Sequence, residues 1–419
     1  MPLSSLGSSL YLIVMEGIAF ALDIGSSKIT AIVGEISGGE LQIIGFGSTE
    51  ANGIRRGMIT DVAQVTTAIS KVVEQAEETS GYKLTNVFVN VSGEHISSLN
   101  NSGIVAIGDR EKGVSMDDIH RAMDAARAVP VPHNRDILHL LPRLFRIDDQ
   151  ENVKSPMGMH GFRLEVDAHI VICAIPAQQN IKGCTEAVEL QVDEFIMSSL
   201  ASAESVVSDA EKDMGVLVAD IGAGTTDVVL YANGAPFMTK TLPIGGQLIS
   251  NDIAIGLRVP FEVGEEIKLK HGDARPEHMP EGATFSVAPF GGEKITVGHR
   301  ELSEVIEARV EEIFNLISKE VKECGFTGLI PAGIVLTGGS ARLKGTNEVA
   351  QKVLGIPARI AEPRNLKGMV EKLNDPAFAT GIGMLRWAMS EHYVYTQPQR
   401  GGFGFLKSGW DVFKRMLPG

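Results

Sequence analysis

The sequence predicts an α/β protein built from two similar halves. Residues 216–219 (VLVA) form a uniformly aliphatic run, which is typical of a strand covered on both faces of a sheet. The run leads through the turn 220–226 (DIGAGTT) into a second strand. Near the N-terminus, strand 17–22 (GIAFAL) leads in the same way through the turn 23–28 (DIGSSK) into a strand that ends near residue 36. Repetition of one unit at the same place in two halves indicates an internal duplication.

The two turns have the composition of an anion-binding site. Glycines let the backbone approach an anion closely, and exposed amides at such a turn form an anion-binding concavity. Asp23 and Asp220 begin the turns and place carboxylates where a Mg²⁺ ion that accompanies a phosphate needs them. A P-loop is excluded, because the sequence contains neither GxxxxGKS nor GxxxxGKT and a strand follows each turn.

Further motifs carry a resemblance to a known family. They are DIGSSK at 23–28, VSGEHI at 91–96, ILHLLP at 137–142, the EEIK helix at 265–268, AGIVLTGG at 332–339 and an amphipathic C-terminal tail. With them the chain resembles the FtsA family of bacterial cell-division proteins, within the superfamily of actin, sugar kinases and heat-shock chaperones. The resemblance implies an actin-like two-lobed fold of duplicated ribonuclease-H-like domains, with an inserted subdomain of the 1C type.

The resemblance also implies that ATP lies between the lobes, with Mg²⁺ near Asp23 and Asp220. Phosphates would contact both glycine turns, and adenosine would lie between the EEIK helix and the LTGGS turn at 336–340. A solvated hairpin lysine is the alternative for Lys28, and an ordinary ion pair on one helix face is the alternative for the EEIK side chains. The nucleotide-binding residues that the resemblance implies are Gly25, Ser26, Ser27, Lys28, Gly222, Ala223, Gly224, Thr225, Thr226, Glu265, Lys268, Gly338, Gly339 and Ser340.

Composition limits the remaining possibilities. A length of 419 residues corresponds to two or three domains of about 150 residues. The net charge of −14 opposes general nucleic-acid binding, which needs a basic field. Cys173, Cys184 and Cys324 are scattered without CxxC spacing, which predicts reduced thiols in a cytosolic protein and neither a zinc site nor a disulfide framework. No run approaches the roughly 20 apolar residues that cross a bilayer.

Domain boundaries follow from changes in pattern together with the resemblance. Residues 1–14 carry no charge and only a short apolar run, which predicts a disordered extension and no secretory signal; weak membrane contact is the alternative. The predicted arrangement is lobe 1 (1A) at 15–97 and 176–213, the inserted subdomain 1C at 98–175, lobe 2 (2A) at 214–240 and 304–390, subdomain 2B at 241–303, a linker at 391–402 and an amphipathic helix at 403–419.

The C-terminal segment predicts a helix that lies in a membrane interface. In residues 403–417 (FGFLKSGWDVFKRML), aromatic and aliphatic side chains recur at spacings of three and four, opposite basic residues that suit an anionic membrane surface. Such a helix is roughly 22 Å long, too short to span a bilayer. A terminal helix docked on the globular body is the alternative. The predicted membrane-contacting residues are Phe403, Leu406, Lys407, Trp410, Phe413, Lys414, Arg415 and Leu417.

Protein partners follow from the resemblance alone. It implies self-association into filaments, contacts of subdomain 1C with a neighbouring subunit or other division proteins, and docking of the C-terminal tail of the tubulin-like protein FtsZ on subdomain 2B. Arg309 lies on a long amphipathic helix predicted for 302–324, at a position that the resemblance places in contact with this tail. An arginine paired with neighbouring glutamates is the alternative.

The expected function is to tether FtsZ filaments to the cytoplasmic face of the inner membrane at the division site, where the protein helps to assemble the septum. Actin-like hydrolases position the attacking water with a Glu or Gln. In this chain we expect the water-positioning segment at 176–180 (PAQQN). It offers amides but no carboxylate, so we expect slow ATP hydrolysis. Two competing functions stay open: another actin-fold scaffold, of the cell-shape or pilus-assembly type, and a phosphotransferase of the same superfamily.

Overall fold

The computed structural model describes residues 17–369 and 371–389. The predicted N-terminal extension, linker and amphipathic helix therefore lie outside the described residues. Across the described part of the chain, no helix combines the length and the apolar character needed to cross a membrane.

Lobe 1 starts with an antiparallel meander, since three aliphatic runs are separated by short glycine-containing turns. The helix that follows the meander is capped at both ends: the Asp61 carboxylate accepts a hydrogen bond from Gln64 N (3.0 Å) and Gly81 ends the helix with φ 75°. The elements of this first part are β1 (Gly17–Ile24), β2 (Lys28–Ser37), β3 (Glu40–Glu50), β4 (Ile54–Arg55), β5 (Met58–Ile59), α1 (Val62–Ser80) and β6 (Asn86–Val91).

A small α/β subdomain with its own core follows β6. Its helix lies directly on the sheet at Gly103, where a Cβ atom would be 2.0 Å from the Ala122 carbonyl oxygen. Its antiparallel sheet has the order β7-β10-β8-β9. The elements are β7 (Ser97–Ala106), α2 (Met116–Arg127), β8 (Arg135–Ile147), β9 (Gln150–Val153) and β10 (Arg163–Ala174).

The chain then returns to lobe 1 and continues into lobe 2, whose core is a second aliphatic meander. The elements that complete lobe 1 are α3 (Ile175–Glu186), β11 (Gln191–Met197), α4 (Ser198–Val206) and α5 (Asp209–Met214). The elements that follow are β12 (Val216–Ile221), β13 (Thr226–Ala232), β14 (Ala235–Leu242), α6 (Gly246–Leu257), α7 (Phe261–His271), β15 (Thr284–Val287), β16 (Ile295–Gly298), α8 (His299–Glu323), β17 (Ile334–Thr337), α9 (Thr346–Leu354), β18 (Ala358–Ile360), β19 (Lys367–Gly368) and α10 (Ala379–Met389).

The predicted duplication is confirmed by the two large sheets. Lobe 1 has the strand order β11-β6-β1-β2-β3-β19 and lobe 2 has β18-β17-β12-β13-β14. In each, three antiparallel strands are followed by two that run parallel to the first. The glycine turns join the first and second strand of each meander, so the duplication places them at corresponding positions. This is the actin-like α/β fold with an insertion that the sequence predicted.

Helices α4 and α10 pack tightly against each other between the two sheets. A Cβ atom at Gly383 would lie 1.7 Å from the Ala201 carbonyl oxygen, so only glycine permits this distance. The TGIG segment at 380–383 therefore lets the two helices come this close. By contrast, α6 and the hairpin β15–β16 were not predicted, because glycines and isoleucines weaken the helical pattern of α6 and each strand of the hairpin has only four residues.

Candidate functional site

A cleft of about 680 Å³ lies between the lobes. Both glycine turns, α7 and the turn after β17 contribute to its walls. The predicted nucleotide and metal residues that line it are Asp23, Gly25, Ser26, Ser27, Lys28, Asp220, Gly222, Ala223, Gly224, Thr225, Glu265, Lys268, Gly338, Gly339 and Ser340. Segments separated by more than 300 residues in sequence thus meet at one site.

The two turns have matching backbone geometry. Gly25 N donates to Lys28 O (3.0 Å), and Gly222 N donates to Thr225 O (2.9 Å). A Cβ atom at Gly224 would lie 2.6 Å from Ser26 Oγ, so the turns approach each other closely across the cleft. Ser26 Oγ also accepts a hydrogen bond from Gly57 N (3.1 Å), at the tip of the β4–β5 hairpin. The cleft is therefore narrow where the two turns meet.

Three buried carboxyl groups face the cleft or its floor. Burial raises the pKa of Asp23 to about 7 and that of Asp220 to about 6; the Lys28 charge partly offsets both shifts. Burial likewise raises the pKa of Asp227 to about 7. Such shifts arise where buried negative charge lacks full compensation. A bound cation would supply the missing charge.

Asp227 lies behind the second turn and links the lobes. Its carboxylate accepts hydrogen bonds from Thr241 Oγ1 (2.6 Å), Thr225 Oγ1 (3.1 Å) and Ser92 Oγ (2.7 Å). Ser92 comes from the end of β6 in lobe 1, whereas the two threonines belong to lobe 2. This network fixes the second turn against lobe 1.

Lys28 brings positive charge into the cleft. Its ammonium lies 3.2 Å from the ring centroid of Phe378, in a cation–π contact. Burial lowers its pKa to about 8, although the charges of Asp23 and Asp375 oppose this shift. The alternative of a solvated hairpin lysine does not match this environment.

The opposite end of the cleft is built from α7 and the Gly338 turn. Lys268 Nζ lies 2.8 Å from Glu265 Oε2 and donates to Gly246 O (3.1 Å). Ser340 Oγ donates to Gly222 O (2.9 Å), which links the Gly338 turn to the second glycine turn. Gly338 has φ 84°, and a Cβ atom there would lie 2.3 Å from Asp220 Oδ1. No larger residue fits beside this carboxylate.

Thr226 and residues 176–180, which were expected at the cleft, lie outside it. Arg309, which was expected to contact a partner protein, is bonded within the chain. Thr226 does not line the cleft, because its buried hydroxyl donates to Ile244 O (2.8 Å). Residues 176–180 do not line it either: they belong to α3, which packs on α1, and the helix that begins at the cleft is α4, with Ser198. Arg309 binds both carboxylate oxygens of Asp252 (2.6 and 2.9 Å) and also contacts Glu312, so it is paired within the chain.

The structure adds cleft residues that sequence reasoning missed. They come from elements whose partners are distant in sequence, so no local pattern marks them. Asn90 is the clearest: its Oδ1 accepts from Ile24 N (2.7 Å) and its Nδ2 donates to Ser198 Oγ (3.2 Å). The other added residues with polar or aromatic side chains include Ser92, Ser198, Asp227, Gln247, Phe261, Arg342, Asp375, Phe378 and Thr380.

The oxygen donors of the cleft suit a magnesium ion that arrives with a phosphate. Between residues 17 and 389, residue 370 aside, no group of three or more His, Cys, Asp or Glu side chains is arranged to hold a metal by itself. Mg²⁺ is usually bound through one or two carboxylates together with substrate phosphates and waters. Asp23 and Asp220 meet that requirement.

Comparison with known proteins establishes the family. The model described as "Cell division protein FtsA" matches residues 217–383, and the "SHS2 domain inserted in FTSA" matches residues 93–172. The cell division protein FtsA of Pseudomonas aeruginosa is 39% identical over 372 residues, which cover 88% of this chain and 89% of that protein. The chain belongs to the FtsA family. FtsA of Escherichia coli K12 is 34% identical over 88% of this chain and 90% of its own length.

Solved structures agree on the FtsA fold at much lower identity. The PilM–PilN type IV pilus biogenesis complex has a TM-score of 0.63 at 17% identity, covering 89% of this chain and 98% of that one. MreB5 of Spiroplasma citri bound to ADP has a TM-score of 0.54 at 12% identity, covering 90% and 97%. These likenesses show the actin-like fold alone. The FtsA relatives place the chain among the cell-division proteins, and the match at 93–172 identifies its insertion as the one found in FtsA.

Proposed function

We propose that this FtsA-family protein binds ATP and Mg²⁺ in the interlobe cleft. The observation that carries this proposal is the convergence of two matched glycine turns on buried, incompletely compensated carboxyl groups. Gly25–Lys28 and Gly222–Thr225 would hold the phosphates, and Glu265, Lys268 and the 338–340 turn would hold the adenosine. A Mg²⁺ ion near Asp23 and Asp220 would neutralise phosphate charge. The ADP found in the MreB5 structure of the same fold supports a nucleotide as the ligand.

Hydrolysis in this cleft is proposed to be slow. A water positioned for attack needs a carboxylate or amide with an open hydrogen-bonding position. Within the described cleft lining, both ends of the Asn90 amide are bonded, and Gln247 donates to Ser26 O (3.3 Å), which leaves its Oε1 as an amide acceptor for a water. Asp23 and Asp220 would face the metal, and the Asp227 carboxylate already accepts three hydroxyl hydrogen bonds. Glu265 is held by Lys268 and Ser250. The nucleotide would act mainly as a ligand that favours one conformation and polymerisation.

The cellular role proposed is to polymerise on the cytoplasmic membrane and tether FtsZ filaments there. Membership of the FtsA family supports a role in division, and the amphipathic sequence 403–417 supports membrane attachment. Subdomain 2B, around α7 and β15–β16, is the proposed docking surface for the FtsZ tail, and the inserted subdomain the surface for other division proteins. Arg309 would have to exchange its bonds to Asp252 for bonds to FtsZ if it takes part.

Vesicle co-sedimentation with ATP and Mg²⁺ tests this role. Purified FtsZ should sediment with anionic vesicles only when the full chain is present. Two variants should lose this activity: a chain truncated after Gln399, and Trp410→Glu, which places a charge on the apolar side of the tail. Equal sedimentation of the truncated chain would contradict membrane attachment through the tail. Lipid binding that leaves FtsZ in solution would contradict the tethering role.

A further inference from the structure

The inserted subdomain covers one edge of the lobe 2 sheet. β14 is the last strand of that sheet, and within the described residues it pairs with β13 alone. An edge strand leaves a row of backbone groups without ladder partners. Here β7 supplies side chains for two of them: Ser98 Oγ donates to Thr239 O (2.8 Å) and Asn100 Nδ2 donates to Phe237 O (3.0 Å).

A buried histidine completes these contacts. His169 on β10 has Nδ1 at 2.7 Å from Asn100 Oδ1 and Nε2 at 3.0 Å from Thr239 Oγ1. Because Asn100 Oδ1 only accepts, Nδ1 carries the proton and Nε2 accepts from the threonine hydroxyl. Burial, together with the charge of Arg143, lowers the pKa of His169 to about 3, so the ring is neutral at physiological pH. The residues of this joint, called the His169 latch below, are Ser98, Asn100, His169, Phe237 and Thr239.

The inserted subdomain is attached to lobe 1 in a different way. Its chain enters and leaves through lobe 1, and Leu141, Val171 and Cys173 are buried in the apolar core of that lobe. Separating this contact would expose apolar surface to water. The latch is polar, and water can replace its hydrogen bonds when it opens. Opening the latch therefore exposes less apolar surface than separating the subdomain from lobe 1, although the Arg143 guanidinium also lies 4.4 Å from the centroid of the Phe237 ring at this joint.

The latch strand also reaches the cleft. Alternate residues of a strand point to the same face, so Thr239 and Thr241 share one face of β14. Thr239 donates to His169, and Thr241 Oγ1 donates to Asp227 Oδ1 (2.6 Å) behind the second glycine turn. One strand face therefore contacts both the inserted subdomain and the floor of the proposed nucleotide site.

We propose that the His169 latch holds lobe 2 to the inserted subdomain, limits the opening of the cleft and thereby sets the rate at which a bound nucleotide leaves. The inference rests on the proposed binding of nucleotide in the cleft. It gives the inserted subdomain a task within its own chain, in addition to any partner that it contacts. Nucleotide exchange would then be faster in any state that pulls the subdomain away from β14.

Release of a fluorescent ATP analogue from the full-length protein tests the latch. Thr239→Val keeps the β-branched shape and removes the hydroxyl, so release should become about fivefold faster, the factor that corresponds to one neutral hydrogen bond. Thr239→Val/His169→Phe avoids an unpaired buried nitrogen and should be faster as well. Ser102→Ala is the matched control, because Ser102 on β7 bonds only to Asp167 within the subdomain (2.5 Å). Equal release rates in the unsubstituted protein and all three variants would overturn the inference.

A distance measurement separates failure of the latch from failure of nucleotide binding. Spin labels at Lys71→Cys and Lys322→Cys, exposed positions on α1 and α8, report the separation of the lobes without any ligand. Cys324→Ser removes the one half-buried thiol among the three cysteines. Thr239→Val should broaden the distance distribution relative to Ser102→Ala. An unchanged distribution would overturn the latch. If the wild-type protein retains no nucleotide but Thr239→Val still broadens the distance distribution, only the proposed nucleotide binding is contradicted.

Discussion

The two glycine turns share one backbone geometry but hold their carboxyl groups differently. In lobe 1, the burial of Asp23 is offset mainly by the charge of Lys28, which lies five residues further along the same turn. In lobe 2, the position of Lys28 is taken by Thr225, and Asp220 accepts a hydrogen bond from Thr380 Oγ1 (2.7 Å) on α10. The duplication has thus kept the turn and divided its chemistry. At the last position of the turn, lobe 1 contributes the positive charge of Lys28 and lobe 2 contributes the hydroxyl group of Thr225.

This division explains why the lobes need each other at the site. Ser92 of lobe 1 completes the hydrogen bonds of Asp227 in lobe 2, and Gly224 of lobe 2 lies against Ser26 of lobe 1. Neither turn forms this narrow end of the cleft alone. The affinity of a ligand that contacts both turns would therefore depend on the distance between the lobes.

Removing the carboxylates should have the largest effect. Asp23→Asn and Asp220→Asn should each weaken ATP binding in Mg²⁺ by about 100-fold, since each removes the negative charge and replaces one carboxylate oxygen with an amide nitrogen that cannot bind the metal. In EDTA the losses should be far smaller. Isothermal titration of the full chain measures both conditions, with Asp252→Asn, outside the cleft, as the control. Equal losses with and without Mg²⁺ would show that the pair does not hold the metal.

Widening the contact between the turns should have an intermediate effect. Gly224→Ala introduces a Cβ atom 2.6 Å from Ser26 Oγ and should weaken ATP binding by about tenfold, because the turns must move apart. Gly256→Ala in α6 meets nothing within 4 Å and serves as the control. Unchanged affinity for Gly224→Ala would mean that the turns are further apart when the ligand is bound.

The smallest effect concerns the stability of the ligand-free protein. The unfolded chain releases the Asp23 proton near pH 3.8, whereas the folded chain keeps it until about pH 7. Between these values the unfolded state binds fewer protons, so the folded state loses stability as the pH rises, and the penalty is complete above pH 7. Asp23→Asn removes the penalty and should raise Tm at pH 8 by roughly 4 °C, with little change at pH 4.

Calorimetry without nucleotide or Mg²⁺ measures this difference. Asp252→Asn again serves as the control, because it removes a surface partner of Arg309 and should not raise Tm at pH 8. A pH-independent effect of Asp23→Asn would mean that the Asp23 carboxyl ionises normally in the folded protein.

The features that the sequence predicted correctly are those that depend on residues close together in the chain. The glycine turns and the long amphipathic α8 depend on residues close in sequence, and the structure has them where their patterns indicated. Ser92, Asn90 and Asp227 gain their roles from tertiary contacts across 66 to 135 residues, and no periodicity marks such contacts. The segment at 176–180 was placed in the cleft by analogy, whereas the strand β11 intervenes and brings Ser198 there. Helix α6 was missed because tertiary burial stabilises it more than its own propensity.

Hydrogen–deuterium exchange of the full-length protein, with and without ATP and Mg²⁺, tests the central claim most directly. If one nucleotide is held between the duplicated turns, the amides of 23–28 and 220–227 should gain protection together, at the same nucleotide concentration. Asp220→Asn should abolish the Mg²⁺-dependent part of the protection at both turns. Protection at one turn alone, or at neither, would contradict a nucleotide site built jointly by the two lobes.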